Sequence, residues 1–205
     1  MKRITIATRT QQAPPSGQDR LYVLHEEEML SFVVADGAGG FAGGDKAAEM
    51  TNLVLWSEPR VPMLDELIDA ARKNDLDVDL DPIAGETTLI QVVVSDGLVR
   101  GCSVGDSQAW IVRDFVIDRL TGQQNRRPFH GSGRAKHVAF ERQLGDGTLI
   151  CGSDGVFNYI PRDVIVRSCE LSDLEKLVDT LLHNARLGSG ALQDDFCLLV
   201  CRMTG

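Results

Sequence analysis

Apolar residues fall along the chain in short dense runs separated by polar punctuation: "RITIATR", "LYVLHEE", "SFVVAD", "TTLIQVVVSDGLVRGCSVGDSQAWIVRD", "TLICGSD" and "DFCLLVCRM". Val, Ile, Thr and Leu fill these runs and turn residues bound them, which predicts strands. Within the longest run, Asp96-Gly97 separates two apolar stretches and predicts a hairpin, so the middle of the chain is read as antiparallel. Three other segments repeat at helical spacing. Asp45 is placed to cap a helix running toward Trp56, with Ala47, Met50, Leu53 and Val54 on one face. A second helix is expected over about 62–73, with Leu64, Leu67, Ile68 and Ala71 in register. The third has Ser172 and Glu175 as a capping box, a stripe through Leu174, Leu177, Val178, Leu181, Leu182 and Ala185, and Gly188 as a stop.

Strands, two helices, a central block of strands, a helix and a last strand predict an α+β layered fold with antiparallel sheets rather than alternating βαβ units. At 205 residues the chain is expected to form one domain, 1–205. The stretch 119–137, "RLTGQQNRRPFHGSGRAKH", reads as a long surface loop, and the acidic "NDLDVDLDP" at 74–82 as a solvated linker. The latter lacks the Gly and terminal Glu that a calcium loop requires.

Charge narrows the classes. A net charge of −9 argues against nucleic acid or an anionic membrane surface as partner. No apolar run approaches the ~20 residues of a membrane span, and "MKRITIATRT" lacks the apolar core of a signal peptide, so a cytoplasmic protein is expected. The five cysteines (Cys102, Cys151, Cys169, Cys197, Cys201) form no C-x-x-C pair and lie mostly in strand-like runs. Reduced core thiols are expected, with neither a disulfide nor a thiolate zinc site.

The chemistry concentrates at strand ends. In "VADGAGGFAGG" (34–44) an apolar run stops at Asp36 among five glycines. Gly37, Gly39 and Gly40 could serve as turn residues, or they could let an ion or phosphate approach the backbone with Asp36 as ligand. Asp106 in "CSVGDSQAW", Asp154 in "LICGSDGVF" and Asp194 in "ALQDDFCLLV" repeat the pattern. Any one alone reads as a turn. Four gathered at one edge of a layered fold would repel one another unless a cation neutralised them. Oxygen donors suit Mg²⁺ or Mn²⁺, whereas the four histidines (His25, His130, His137, His183) share no zinc-ligand spacing.

In order, "SGQDR", "VVADGAGG", "GETTLIQVVV", "LVRGCSVGDSQAWIVR", "LICGSDGVF" and "QDDFCLLV" resemble the metal-dependent serine/threonine protein phosphatases of type 2C, across nearly the whole chain. The resemblance implies a four-layer α-β-β-α sandwich whose two central antiparallel sheets hold a binuclear Mn²⁺/Mg²⁺ centre at one edge. It implies Asp36 as the carboxylate bridging both metals and the Gly37 carbonyl as a ligand to one of them. Asp154 and Asp194 would be terminal ligands of the other, Asp19 would act through bound water, and Asp106 would serve a third, weaker metal site. Two metals about 3.5–4 Å apart would activate a water for attack on phosphoserine or phosphothreonine, without a covalent phosphoenzyme. Ser103, Ser107 and Ser153 lie near these motifs without a His to activate them, and are expected to hydrogen-bond ligands or backbone. The implied partner is a phosphorylated protein, with a kinase as the opposing enzyme.

The pattern departs in three places. Gln18 stands where many members have Glu, the stretch "QQAPPS" lacks the upstream phosphate-gripping Arg, and Ala38 stands where some members have His. Arg9 and Arg20 are candidates to replace the missing Arg. The flap region of the family is reduced to the loop at 119–137, whose Arg119, Arg126, Arg127 and Arg134 could attract a phosphorylated substrate. These losses keep open a second reading, a catalytically weak homologue that binds and regulates a phosphorylated partner.

Overall fold

The structure is a computed structural model that describes residues 3–14, 17–26, 28–38, 42–58 and 60–205. Gly39 and Gly40, two of the glycines discussed above, lie outside the described residues. In chain order the elements are β1 (Arg3–Gln11), β2 (Arg20–His25), β3 (Met29–Ala35), α1 (Gly44–Met50) with a 3-10 turn at Thr51–Val54, and α2 (Leu64–Asp79). There follow β4 (Leu89–Ser95), β5 (Leu98–Val104), β6 (Gln108–Arg113), β7 (Val116–Arg119), β8 (Val138–Gln143) and β9 (Thr148–Gly152). The chain ends with α3 (Asp154–Phe157), α4 (Arg162–Ser168), α5 (Leu174–Ala185) and β10 (Phe196–Thr204).

Two antiparallel five-stranded sheets form the centre, in the orders β1-β10-β9-β6-β7 and β2-β3-β4-β5-β8. Alternation along each strand decides which layer a side chain enters. Phe32 and Val34 of β3, Ile90 and Val92 of β4, and Cys197 and Leu199 of β10 point between the sheets. Their neighbours Val33, Leu89 and Val93 pack outward with Leu67 and Ala71 of α2. On the other face, Phe196, Leu198 and Val200 meet Leu177, Val178 and Leu181 of α5. The result is the α-β-β-α sandwich expected. Strands buried on both faces explain why the apolar runs are nearly continuous. The Asp96-Gly97 hairpin forms between β4 and β5, with Asp96 and Gly97 at φ 50° and 73°.

Several local expectations are corrected. α2 runs through the acidic stretch at 74–82 to Asp79, because Asn74, Asp75 and Val78 turn its inner face toward the protein. Polar residues on a buried helical face hide the apolar period. Asp45 lies in the first turn of α1 behind an N-terminal Gly43 and makes no side-chain cap. The cap of α5 is Asp173, whose carboxylate accepts from the Glu175 and Lys176 N–H groups at 2.9 and 3.2 Å, in place of the Ser172 box. Strands β7 and β8 and helices α3 and α4 escape the hydrophobic pattern. All five cysteines are buried free thiols, and no described helix is long and apolar enough to cross a membrane.

Candidate active site

Strand register brings the acidic residues to one edge. Gly152 of β9 pairs with both Leu198 of β10 and Gln108 of β6, so Asp154, Asp194 and Asp106 all lie just beyond that row. Arg20 pairs with Ala35, which brings Asp19 beside Asp36. Asp36, Asp106, Asp154 and Asp194 line one cavity of about 480 Å³, together with Gln18 and Gly37. All four strand-end carboxylates singled out from the sequence therefore meet.

The Asp36 loop is pinned through its backbone by the "GETT" segment. Thr88 N–H and the Thr87 hydroxyl donate to the Asp36 carbonyl at 2.8 and 2.9 Å, and Asp36 N–H donates to Thr88 Oγ1 at 3.0 Å. Ala38 N–H donates to the Glu86 carbonyl at 2.8 Å. Gly37 has a packing reason to be glycine: a Cβ there would lie 2.6 Å from the Gly44 backbone and 2.8 Å from Gln18 Cβ. Gly155 is likewise required, since a Cβ would collide with the Asp195 carbonyl.

Asp195 is an organiser that the sequence reading passed over, although it stands next to Asp194. Its carboxylate accepts from Ala13 N–H at 2.7 Å, Gln18 N–H at 2.5 Å and Asp19 N–H at 3.2 Å, so it folds the N-terminal loop onto the cavity. The adjacent acidic pair in "QDDF" was the available signal. Ser153 accepts from Cys197 N–H at 3.2 Å, as expected, whereas the Ser107 hydroxyl meets the Thr88 hydroxyl at 2.7 Å rather than backbone or a proposed ligand. Ser103 Oγ is buried without a partner among the described residues, against expectation.

The electrostatics are those of a site that repels itself. Asp36 is pushed up to about 10, by burial first and then by the charges of Asp19, Asp154, Asp106 and Asp194. Asp19 is pushed up to about 7, again by burial first, with Asp195, Asp154 and Asp194 adding to the rise against a lowering contact from Ser153. Asp154 is raised by burial and by Asp194 and Asp106, while its hydrogen bond with Asp36 opposes the rise. Asn158 steadies it by donating to Oδ2 at 2.9 Å. Asp19 Oδ2 is buried without a hydrogen-bond partner among the described residues.

Among the described residues no three Asp, Glu, His or Cys side chains are gathered tightly enough to cage one ion. The four aspartates nevertheless line one cavity, an arrangement that suits a ligand bringing its own water. All-oxygen donors, a few carboxylates and a roomy cavity suit hard divalent cations that keep part of their hydration. The residues present fit such ions in donor chemistry, and zinc's nitrogen and sulfur ligands are not among them.

The candidate cations redistribute. Arg9 pairs with Glu175 and Asp179 of α5 at 3.4 and 2.5 Å. Arg20 pairs with Glu49 at 3.1 Å and also donates to the Gly17 and Asp19 carbonyls. Neither lines the cavity. Arg126 reaches Asp106 at 3.3 Å, and Arg119 lies over Trp110. Arg127 lines the cavity beside Phe129.

No family profile matches the sequence, and no curated protein does. Solved structures match it over its full length. A bacterial serine phosphatase is similar at TM-score 0.82 and 18% identity, covering 100% of this chain and 99% of that one. The serine/threonine phosphatase Stp1 from Staphylococcus aureus is similar at TM-score 0.80 and 17% identity, covering 100% and 96%. The catalytic domain of the serine/threonine protein phosphatase PstP, in complex with two manganese ions, is similar at TM-score 0.77 and 15% identity, covering 100% of both chains. The chain has the fold of these bacterial phosphatases.

Proposed function

We propose that this chain, which carries the fold of bacterial serine/threonine phosphatases, is one phosphatase domain over 1–205 that hydrolyses phosphoserine and phosphothreonine on proteins. The observation that carries the reading is the convergence of Asp36, Asp106, Asp154 and Asp194 on one cavity at the sheet edge, beside the buried and orphaned Asp19 oxygen. Asp36, Asp154 and Asp194 would hold two Mn²⁺ or Mg²⁺ ions with the Gly37 carbonyl. Asp19 would act through water, and Asp106 would serve a weaker third site. When bound, such ions lower the pKa of a water and offset charge on the phosphoryl group. The protein's share is positional. Thr87 and Thr88 fix the Asp36 backbone, Asn158 orients Asp154, and Asp195 holds the Gln18–Asp19 segment against the cavity. Preorganised groups of this kind spend no reorganisation energy during reaction.

A cytoplasmic location and a kinase as opposing enzyme belong to this proposal. The second reading, a weak homologue that binds a phosphorylated partner, draws support from the cavity wall at Ala13, Pro14, Gln18 and Ala38, which brings no charged or acid–base group. Hydrolysis of p-nitrophenyl phosphate and of a phosphoserine peptide, with manganese and then with EDTA, tests the choice. Manganese-dependent turnover that EDTA abolishes is expected. Phosphopeptide binding without turnover would favour the second reading.

A further inference from the structure

The cavity wall holds several aspartates but, among the described residues, one basic side chain, Arg127. Its guanidinium lies 4.8 Å from the centre of the Phe129 ring, and no ion pair of its own is found among the described residues, whereas its neighbour Arg126 is taken by Asp106. The segment that carries it is tied down on both sides. Before it, Gly105 N–H donates to the Asn125 carbonyl at 2.8 Å, and the Gln124 amide donates to the Ser107 carbonyl at 2.7 Å. After it, His130 exchanges backbone hydrogen bonds with Thr87 at 2.8 and 2.9 Å, and Thr87 is the residue whose hydroxyl holds the Asp36 carbonyl. Asp75 of α2 then accepts from Gly131 N–H at 2.6 Å and Ala135 N–H at 3.0 Å. Arg127 therefore spans two anchors that each belong to the carboxylate edge.

The geometry points to Arg127 as the residue that grips the phosphoryl group of the substrate. This rests on the phosphatase reading above. The planar fork of a guanidinium suits two phosphoryl oxygens, and stacking on Phe129 restricts the fork before the ligand arrives. The surrounding aspartates would repel a phosphate monoester, so a cation here is needed for affinity in addition to any metal.

Calorimetric titration of inorganic phosphate into the manganese-loaded protein tests the assignment without relying on turnover. Arg127→Ala is expected to weaken phosphate binding by about tenfold or more and to raise KM for a phosphoserine peptide more than it lowers kcat. Arg127→Lys should recover part of the loss, and Arg9→Ala should match wild type. The assignment is overturned if Arg127→Ala and Arg127→Lys both bind phosphate as wild type does, if wild type binds none, or if Arg9→Ala loses as much as Arg127→Ala. Phosphate binding that depends on Arg127 in a protein that hydrolyses nothing would sink the phosphatase reading alone. Turnover with manganese that ignores Arg127 would sink this assignment alone.

Discussion

Two groups of buried polar side chains lie on either side of Thr87, and they solve the problem of burial in opposite ways. In the carboxylate rim, Asp36, Asp19 and Asp154 are driven above the usual carboxylate range by burial first and then by neighbouring carboxylates. In the knot between α2 and the loop after Arg127, the groups satisfy each other. His130 meets Asn74 Oδ1 and His137 Nε2, each at 2.9 Å, and Asn74 Nδ2 donates to the Met50 carbonyl at 3.2 Å. Since Asn74 Oδ1 can only accept, His130 Nε2 carries the proton, His130 Nδ1 accepts from His137 Nε2–H, and both rings are neutral. Only His137 Nδ1 in that chain is left without a partner among the described residues. A polar cluster closed by its own hydrogen bonds supports the fold, while one that leaves like charges facing each other is built for something from outside.

The largest effect that separates the two is on activity. Asp154→Asn and Asp194→Asn each remove a proposed ligand charge, and manganese-dependent hydrolysis is expected to fall by about a hundredfold or more while the melting temperature holds. Activity near wild type in either variant would remove that residue from the rim. Asn74→Ala should do the reverse, costing about 1–3 kcal/mol of stability by unpairing buried partners, with its melting transition shifted equally with and without manganese.

Opposite pH responses sharpen the contrast. His137 is pushed down to about 4 by burial first and then by Arg72, and His130 well below its usual value by burial. A lowered folded-state pKa contributes stability that is present above the unfolded value near 6.5 and is lost as pH falls toward 4. Asp36, raised to about 10, contributes stability present below the unfolded value near 3.8, and the metal-free protein loses it as pH rises toward 10. Melting curves of the metal-free protein should therefore show an alkaline loss that Asp36→Asn abolishes, with a gain of ~2–8 °C near pH 8, and that manganese also relieves. An alkaline slope identical in wild type and Asp36→Asn would contradict the assignment of that loss to the rim.

How much of this was legible varies with the physical signal. The central strands announce themselves because both faces are buried, and Asp36, Asp106, Asp154 and Asp194 stand out because a carboxylate interrupts an apolar run. The knot was invisible: Asn74 and Asp75 look like solvated residues, so α2 was cut short and its polar inner face read as linker. Arg127 was one of four arginines in a loop whose composition says only that it is polar. What distinguishes it is tertiary, the anchoring of that loop at Asn125 and His130. Arg9 and Arg20 were plausible replacements in sequence and are bound elsewhere in space.

The smallest expected effect tests the edge of the rim. Gln18 lines the cavity, and Gln18→Glu should shift the manganese dependence of activity to lower concentration by up to about tenfold, or ~1.4 kcal/mol. Asp19→Ala should shift it the other way. Coincident metal curves for wild type and both variants would place these two residues outside the rim's influence.

The central claim is that the rim is completed by divalent cations held on Asp36. Calorimetric titration of Mn²⁺ into wild type and Asp36→Asn at fixed pH tests it most directly. The account predicts binding of two ions to wild type, with proton release because Asp36 and Asp19 must give up protons, and loss of that binding in Asp36→Asn. Indistinguishable titrations for the two proteins, or no binding to wild type at millimolar manganese, would contradict it.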